Sequence, residues 1–383
     1  MGRVNVMIPW LGDEEIEAVA SVIRSGWVAQ GPRVAAFEEA FATAMDAAHA
    51  VATSNCTTAL HLALVVAGVK QGDEVVVPSF SFIATTNAPS YVGAVPVFAD
   101  VEAATGNVTV ETIAAALTDR TRAVIVVDQG GTPVDLDPIR ALCDPRGITV
   151  IEDAACGAGS RYKGRPVGAG AELTAWSFHP RKVLTTGEGG MLTTSRSDWA
   201  ARARRLREHS MSVSAADRHS ELVSAPEVYE EVGFNYRMTD LQAAVGIVQL
   251  GKLPAMVERR REIATAYAAA IATIPGLRLL TDPAHGTCNF QSLWVEIGED
   301  YPLNREELLL KLADEGISAR RGIMAAHRQP PYTGGPSIRG PLPVTERLTE
   351  RTLILPVYHQ LSEEDQRSVI DVLLAPAAVP AHG

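Results

Sequence analysis

A mostly parallel α/β sheet followed by a smaller α+β region is the fold class this sequence predicts, and three observations carry the prediction. Short β-branched runs alternate with longer amphipathic stretches through the first two thirds of the chain. Strands separated by helical patterns make βαβ units, and so a parallel sheet covered on both faces. After about Gly246 the texture changes to longer helical stretches with isolated strand-like runs. Finally, 383 residues with 46% hydrophobic and 21% charged side chains can bury a sizeable core without disulfide or metal staples.

The predicted strands cover residues 74–78, 95–98, 123–127, 149–151 and 174–178, with helices over 57–67, 110–117 and 138–143 between them. The later region holds a helix over 253–274, a strand over 292–297 and a helix over 305–314. A Pro/Gly-rich loop over 329–343 and a final helix over 363–374 follow. The expected division is a large domain, 1–250, and a small C-terminal domain, 251–383, ending in a tail that frays after residue 374.

Composition narrows the function. Lys+Arg number 34 against 45 Asp+Glu, a formal net charge of −11, so no basic excess exists to displace the counterions of a nucleic-acid polymer. Cys56, Cys143, Cys156 and Cys288 show no CxxC and no zinc-like spacing, which predicts reduced thiols and no metal site. No apolar run reaches the roughly 18 residues of a membrane span, and the N-terminus turns acidic too early for a secretory signal. A soluble, cytoplasmic protein is expected.

In open α/β sheets, ligands collect at the carboxyl ends of the strands. Three segments there can carry chemistry. In Ala52-Thr53-Ser54-Asn55-Cys56-Thr57-Thr58, small polar residues lead into a helical apolar pattern. Such a helix start offers free N–H groups and a positive dipole end to a phosphate. Plain N-capping by Ser54 or Asn55 explains it as well. The second segment, Val150-Ile151-Glu152-Asp153-Ala154-Ala155-Cys156, ends an apolar strand on two acids. Asp153 can there hold a ligand cation protonated, or merely cap a helix. The third is Ser177-Phe178-His179-Pro180-Arg181-Lys182, followed by a Gly-rich turn. A partly dry lysine becomes a carbonyl nucleophile, although a lone lysine is ordinarily a surface charge.

Taken together, a phosphate seat, a strand-end acid and a later lysine are the set that pyridoxal 5′-phosphate (PLP) requires. The blocks SNCTTALHLAL, GDEVVVPSFSFIATTNAPSYVGAVPVFADV, VIEDAACGAGSRYKGRPVG, SFHPRKVLTTGEGGM and GFNYRMTDLQAAVGIVQL resemble, in order, the DegT/DnrJ/StrS family of PLP-dependent aminotransferases. The resemblance runs from about residue 10 to residue 372. It implies a fold-type-I transferase and an internal aldimine on Lys182. Asp153 would pair with the pyridinium nitrogen, Phe82 would stack on the ring, and Cys56, Thr57 and Ser177 would contact the phosphate. Asn235 would reach the phosphate of a neighbouring subunit, which requires a homodimer with shared active sites.

This chain also departs from the family pattern. Cys56 stands where glycine is common, and Cys156 where Gln or His lies near the cofactor's phenolic oxygen. Residues 128–133 lack the usual histidine-containing, aromatic-rich form. The implied reaction moves an amino group from an amino acid, L-glutamate by resemblance, through pyridoxamine 5′-phosphate to a keto-sugar or keto-cyclitol. Candidate substrate contacts are Arg237, Arg320, Arg321, His327 and Arg328. The competing readings are a dehydratase or aromatising lyase on the same scaffold, and a non-catalytic PLP-binding regulator. Lys182 argues against the dehydratases, which carry histidine at that position. Intact Lys182 and Asp153 argue against the regulator.

Overall fold

The computed structural model describes residues 3–169, 171–212 and 226–375; the expected frayed tail lies outside the described residues. Helices α1 (Asp13–Ser25) and α2 (Pro32–Ala44) precede strand β1 (His49–Thr53). Then α3 (Cys56–Val66), β2 (Glu74–Pro78), α4 (Ile83–Tyr91), β3 (Val95–Ala99), α5 (Val110–Ala116), β4 (Thr121–Val127), α6 (Leu136–Cys143) and β5 (Thr149–Asp153) alternate. A short hairpin, β6 (Arg161–Tyr162) and β7 (Arg165–Pro166), leads to β8 (Leu173–Ser177), β9 (Gly190–Thr194) and α7 (Ser197–Leu206).

These elements make a seven-stranded sheet in the order β1-β9-β8-β5-β4-β2-β3. Strands β8, β5, β4, β2 and β3 run parallel, as the alternating pattern predicts. Strand β9 runs antiparallel to both β8 and β1. The sheet is therefore mixed, and β1 points the same way as β8. Asp153, Ser177 and Thr53 consequently end at one edge, with Gly190, the first residue of β9, paired to both Thr53 and Ser177.

One face of the sheet is closed by aromatic rings. Phe41 meets Trp176 edge-on at 5.2 Å, and Phe37 and Phe41 each lie 5.3 Å from Phe178. The helix α8 (Asp240–Ile271) crosses this face. It starts 13 residues before the predicted 253, because Gly246, Gly251 and Pro254 obscure the period. Gly246 is needed: a Cβ there would lie 2.7 Å from the Phe37 ring. Thr239 begins the helix with a capping box, its Oγ1 accepting from Gln242 N–H while Gln242 Oε1 accepts from Thr239 N–H.

Helix α8 is continuous across residue 250 and enters a second sheet. There β10 (Leu277–Leu279), β12 (Leu293–Ile297), β14 (Thr352–Leu355) and β13 (Arg320–Arg321) pair in that order, and β11 (Gly286–Thr287) joins the β6–β7 hairpin. Helices α9 (Arg305–Asp314), α10 (Pro343–Arg351) and α11 (Glu363–Leu374) complete the described residues. One buried cluster runs without a break from Val124 and Val150 of the large sheet to Leu293 and Leu353 of the small one. No helix among the described residues is long and apolar enough to cross a membrane.

Asp240 fastens α8 to α2. Its carboxylate accepts from Gly31 N–H (2.8 Å), Val34 N–H (3.0 Å) and Arg33 N–H (3.0 Å), so one acid caps the N-terminus of a second helix. Asp240→Ala leaves these donors unpaired. It is expected to lower unfolding free energy by about 3 kcal/mol in a denaturant titration, and Asp240→Asn by less.

Candidate active site

The edge of the large sheet brings three of the predicted segments together. Asp153 ends β5 and is 4% exposed. Its Oδ2 accepts from Thr85 Oγ1 at 2.8 Å, and its Oδ1 from Ala155 N–H at 3.2 Å and the Cys56 thiol at 3.9 Å. Burial raises the Asp153 pKa, and the Thr85, Ala155, Lys182 and Cys56 contacts pull the other way. Burial, with the Asp153 charge adding to it, pushes the Cys56 thiol well above its ordinary range. The thiol therefore remains protonated and able to donate.

Lys182 follows β8 in a tight turn, with its N–H bonded to the His179 carbonyl at 2.8 Å. Its Nζ donates to Cys156 Sγ at 3.2 Å. Burial lowers the affinity of the Lys182 amine for a proton, but Cys156, Cys56 and Asp153 outweigh it and the pKa is raised.

The anion seat depends on one missing side chain. A Cβ on Gly190 would lie 2.4 Å from the Asn55 carbonyl carbon and 2.7 Å from Cys56 N. Glycine there lets the start of α3 settle beside the Ser177 end of β8. Asn55 Oδ1 accepts from Thr58 N–H, and the Asn55 carbonyl accepts from Ala59 N–H. The amides of Cys56 and Thr57 keep no protein partner among the described residues. Phe82 stands directly before α4, 60% exposed, three residues from Thr85. These residues fit PLP: an amine, a buried acid for a ring nitrogen, an exposed ring face and a pair of free helix-start amides.

Other candidates are placed differently. Asn235 is exposed and bridges to Glu208 through its backbone. Arg237 is half-buried and has no side-chain partner among the described residues. Arg320 and Arg321 are exposed on β13 and line a hollow with Arg3 and α9, which contains none of the Lys182 cluster; Arg321 is paired with Glu306. Arg328 pairs with Glu346 and Glu350. His327, placed by the sequence in a loop facing substrate, is instead buried with both ring nitrogens taken. Its Nδ1 meets the Ser79 hydroxyl at 2.6 Å and its Nε2 meets Glu346 at 3.2 Å. That geometry braces the end of β2 against α10.

Sequence reasoning missed Thr85, and it assigned no role to two further acids. Thr85 lies in the first turn of α4, and a hydroxyl in that turn of PSFSFIATT was the available signal. It also completes a relay with Ser81 at 2.8 Å. Asp128, just past β4, and Glu152 of β5 are both buried, and Asp128 Oδ2 has no partner among the described residues. Burial raises Asp128 well above the usual carboxylate range, with Glu152 and Asp153 adding to it, and burial pushes Glu152 up to about 7.

The DegT/DnrJ/EryC1/StrS aminotransferase family model matches residues 9–374. The spore coat polysaccharide biosynthesis protein SpsC of Bacillus subtilis (strain 168) is 38% identical over 371 residues, covering 96% of this chain and 95% of SpsC. Among solved structures, the aminotransferase TlmJ from Streptoalloteichus hindustanus is 38% identical with a TM-score of 0.88, covering 97% of each chain. DesI, solved in the presence of its TDP-sugar product, is 33% identical with a TM-score of 0.88, covering 97% of this chain and 92% of DesI.

Two outcomes are expected. Thr85→Val removes a 2.8 Å donor from a buried carboxylate. It should weaken PLP retention about tenfold, measured by equilibrium dialysis, while the folded content by circular dichroism stays unchanged. The second concerns pH. A folded pKa of about 7 for Glu152, against roughly 4.3 unfolded, means the native protein holds a proton that the unfolded chain has released. This stabilisation is complete below the unfolded value and is lost as pH rises through 7. Between pH 6 and 8 the denaturation midpoint should fall more steeply in the wild type than in Glu152→Gln.

Proposed function

The chain belongs to the DegT/DnrJ/EryC1/StrS aminotransferase family, and on that premise we propose that it moves an amino group from L-glutamate to a nucleotide-linked keto-sugar. It is a PLP-dependent aminotransferase. The observation that carries the site assignment is the cluster of Lys182 Nζ, Cys156 Sγ and the Asp153 carboxylate at one sheet edge, beside the free amides of Cys56 and Thr57. The sugar reading draws support from SpsC, named for polysaccharide biosynthesis, and from DesI with its TDP-sugar product.

Bound PLP supplies an electrophilic carbon and an electron-accepting ring, which make the hydrogen beside the transferred nitrogen acidic. Lys182 would hold the cofactor through Nζ, and the same amine, once released, would be the group that carries a proton at the reacting carbon. A base so positioned is worth typically 10²–10⁴-fold in rate. Asp153 keeps the ring nitrogen protonated, and Thr85, Ala155 and Cys56 aim its two oxygens. The Cys56 and Thr57 amides with Ser177 anchor the phosphate, while the exposed face of Phe82 covers the ring. Cys156 presents a thiol at the lysine, where a weak donor replaces a stronger amide or imidazole.

The acceptor's diphosphate needs cations that the acidic surface does not supply in general. Arg237, with no side-chain partner among the described residues, is the strongest candidate, and Arg320 is the next. Arg321, His327 and Arg328 could join only by releasing their present partners. The exposed Asn235 suits a homodimer in which each subunit completes the other's phosphate site. Residues 1–250 act as the cofactor-binding part and 251–383 as the covering part, within the cytoplasm.

Borohydride reduction followed by peptide mapping should place the pyridoxyl adduct on Lys182; an adduct elsewhere refutes its role. Enzyme loaded as pyridoxamine phosphate should lose that form's absorbance on adding a nucleotide-linked keto-sugar. A response to free keto-cyclitols alone would move the reading to the cyclitol branch. Release of dehydrated product without amine transfer would favour the lyase.

A further inference from the structure

The small sheet reaches the catalytic edge through one buried stretch, residues 288–292, which leads into β12. Asn289 is fully buried, and its Nδ2 donates to the carbonyls of Cys156 (2.7 Å) and Ala158 (2.8 Å). Its Oδ1 accepts from Gln291 N–H at 2.7 Å. Gly131, with φ +93, makes room for this amide, since a Cβ there would stand 1.8 Å from Asn289 Oδ1. Phe290 between the two amides has φ 50, a left-handed conformation that a bulky residue adopts only when its surroundings enforce it.

Arg260 of α8 provides that enforcement. It is 2% exposed, and its Nη1 donates to the carbonyls of Phe290 (2.9 Å) and Gln291 (3.4 Å). Burial lowers its pKa only to about 10, so its charge persists at neutral pH. No carboxylate pairs with it among the described residues. A buried cation spent on two carbonyls and the Met7 sulfur (3.0 Å) is costly as packing alone, but it holds a strained turn in place.

Gln291 turns that fixed point toward the chemistry. Its Nε2 donates to the carbonyl of Arg181 at 2.6 Å, the peptide that leads directly into Lys182. A carbonyl only accepts, so the amide orientation is settled by chemistry. Its Oε1 is left buried without a partner among the described residues. A methionine would fill similar volume with no orphaned oxygen, so the amide's distinguishing contribution is this one donor. Both ends of the 3.2 Å Lys182–Cys156 contact thus hang from one strap: Asn289 holds the Cys156 carbonyl and Gln291 holds the Arg181 carbonyl.

We propose that Gln291 is a positioning residue for Lys182, setting the backbone from which the amine reaches the cofactor and linking the small sheet to the catalytic loop. This rests on the assignment of Lys182 as the residue that holds PLP. The test measures how fast apoenzyme captures PLP at Lys182, trapped by borohydride and mapped by peptide, together with kcat, donor KM and folded content. Gln291→Met removes the donor, and Gln291→Glu sets a carboxylate against the carbonyl. Both should fold, yet capture PLP and turn over about 10- to 100-fold more slowly, with donor KM changed far less, as expected for a displaced reacting group.

Wild-type capture and kcat in Gln291→Met would overturn the proposal. If neither variant folds, Gln291→His, which keeps an N–H donor, decides: near-normal capture supports the role, and capture slowed despite the donor overturns it. Absence of any adduct on wild-type Lys182 would instead bring down the assignment beneath, and the proposal with it. An adduct on Lys182 with unaffected variants would refute the positioning role alone.

Discussion

A carboxylate that must stay useful while almost out of water is the constraint around which this molecule is arranged. Asp153 has water on hardly any side, and desolvation favours its neutral form. Three donors from three elements oppose that tendency: the Thr85 hydroxyl from α4, the Ala155 amide beyond β5, and the Cys56 thiol from the start of α3. Each donor needs its own element at the same sheet edge, and parallel strands bring them there. Removing one strand from the order would take a donor away from the acid as well as apolar surface from the core.

The same edge explains the reversed strand. With β9 antiparallel, its first residue rather than its last meets the ligand side, and that residue is Gly190. Only there can the backbone of Asn55 and Cys56 approach so closely. Cys56 then contributes twice, a helix-start amide at the place proposed for an anion and a sulfur facing Asp153. A glycine in its place would retain the first contact and lose the second, so the cysteine is a change in how the acid is solvated rather than in how an anion is bound.

Much of this was legible in the residues. Strand 74–78 and helices 305–314 and 363–374 have the bounds that their periodicity indicates, and Asp153 ends β5 and Lys182 follows β8, where the sequence reading puts them. Strand β1 escaped because HAVAT holds two alanines, which favour strands poorly, and β9 because it opens on glycine. The start of α8 escaped because glycine and proline inside a helix cost about 1 and 3 kcal/mol, and only contacts such as Phe37 against Gly246 override that. Thr85, Asn289 and Gln291 are common residue types whose partners lie 68, 133 and 110 positions away. Beyond the hydroxyl of Thr85 in the first turn of its helix, nothing local distinguishes them. The burial of His327 was illegible for the same reason, since its partner Ser79 is 248 residues distant.

Helix α8 carries Asp240 at its first turn, clamped to α2, and Arg260 some five and a half turns later, clamped to the strap under the lysine. Twenty residues of α-helix set the spacing between these clamps at roughly 30 Å and their bearing at a fixed angle. One inserted residue would advance Arg260 by about 1.5 Å and swing it through roughly 100° about the axis. Lineages descending from this sequence can therefore exchange side chains along that rod and lengthen the loops around it. Between the two clamps, the number of residues is itself a structural constraint.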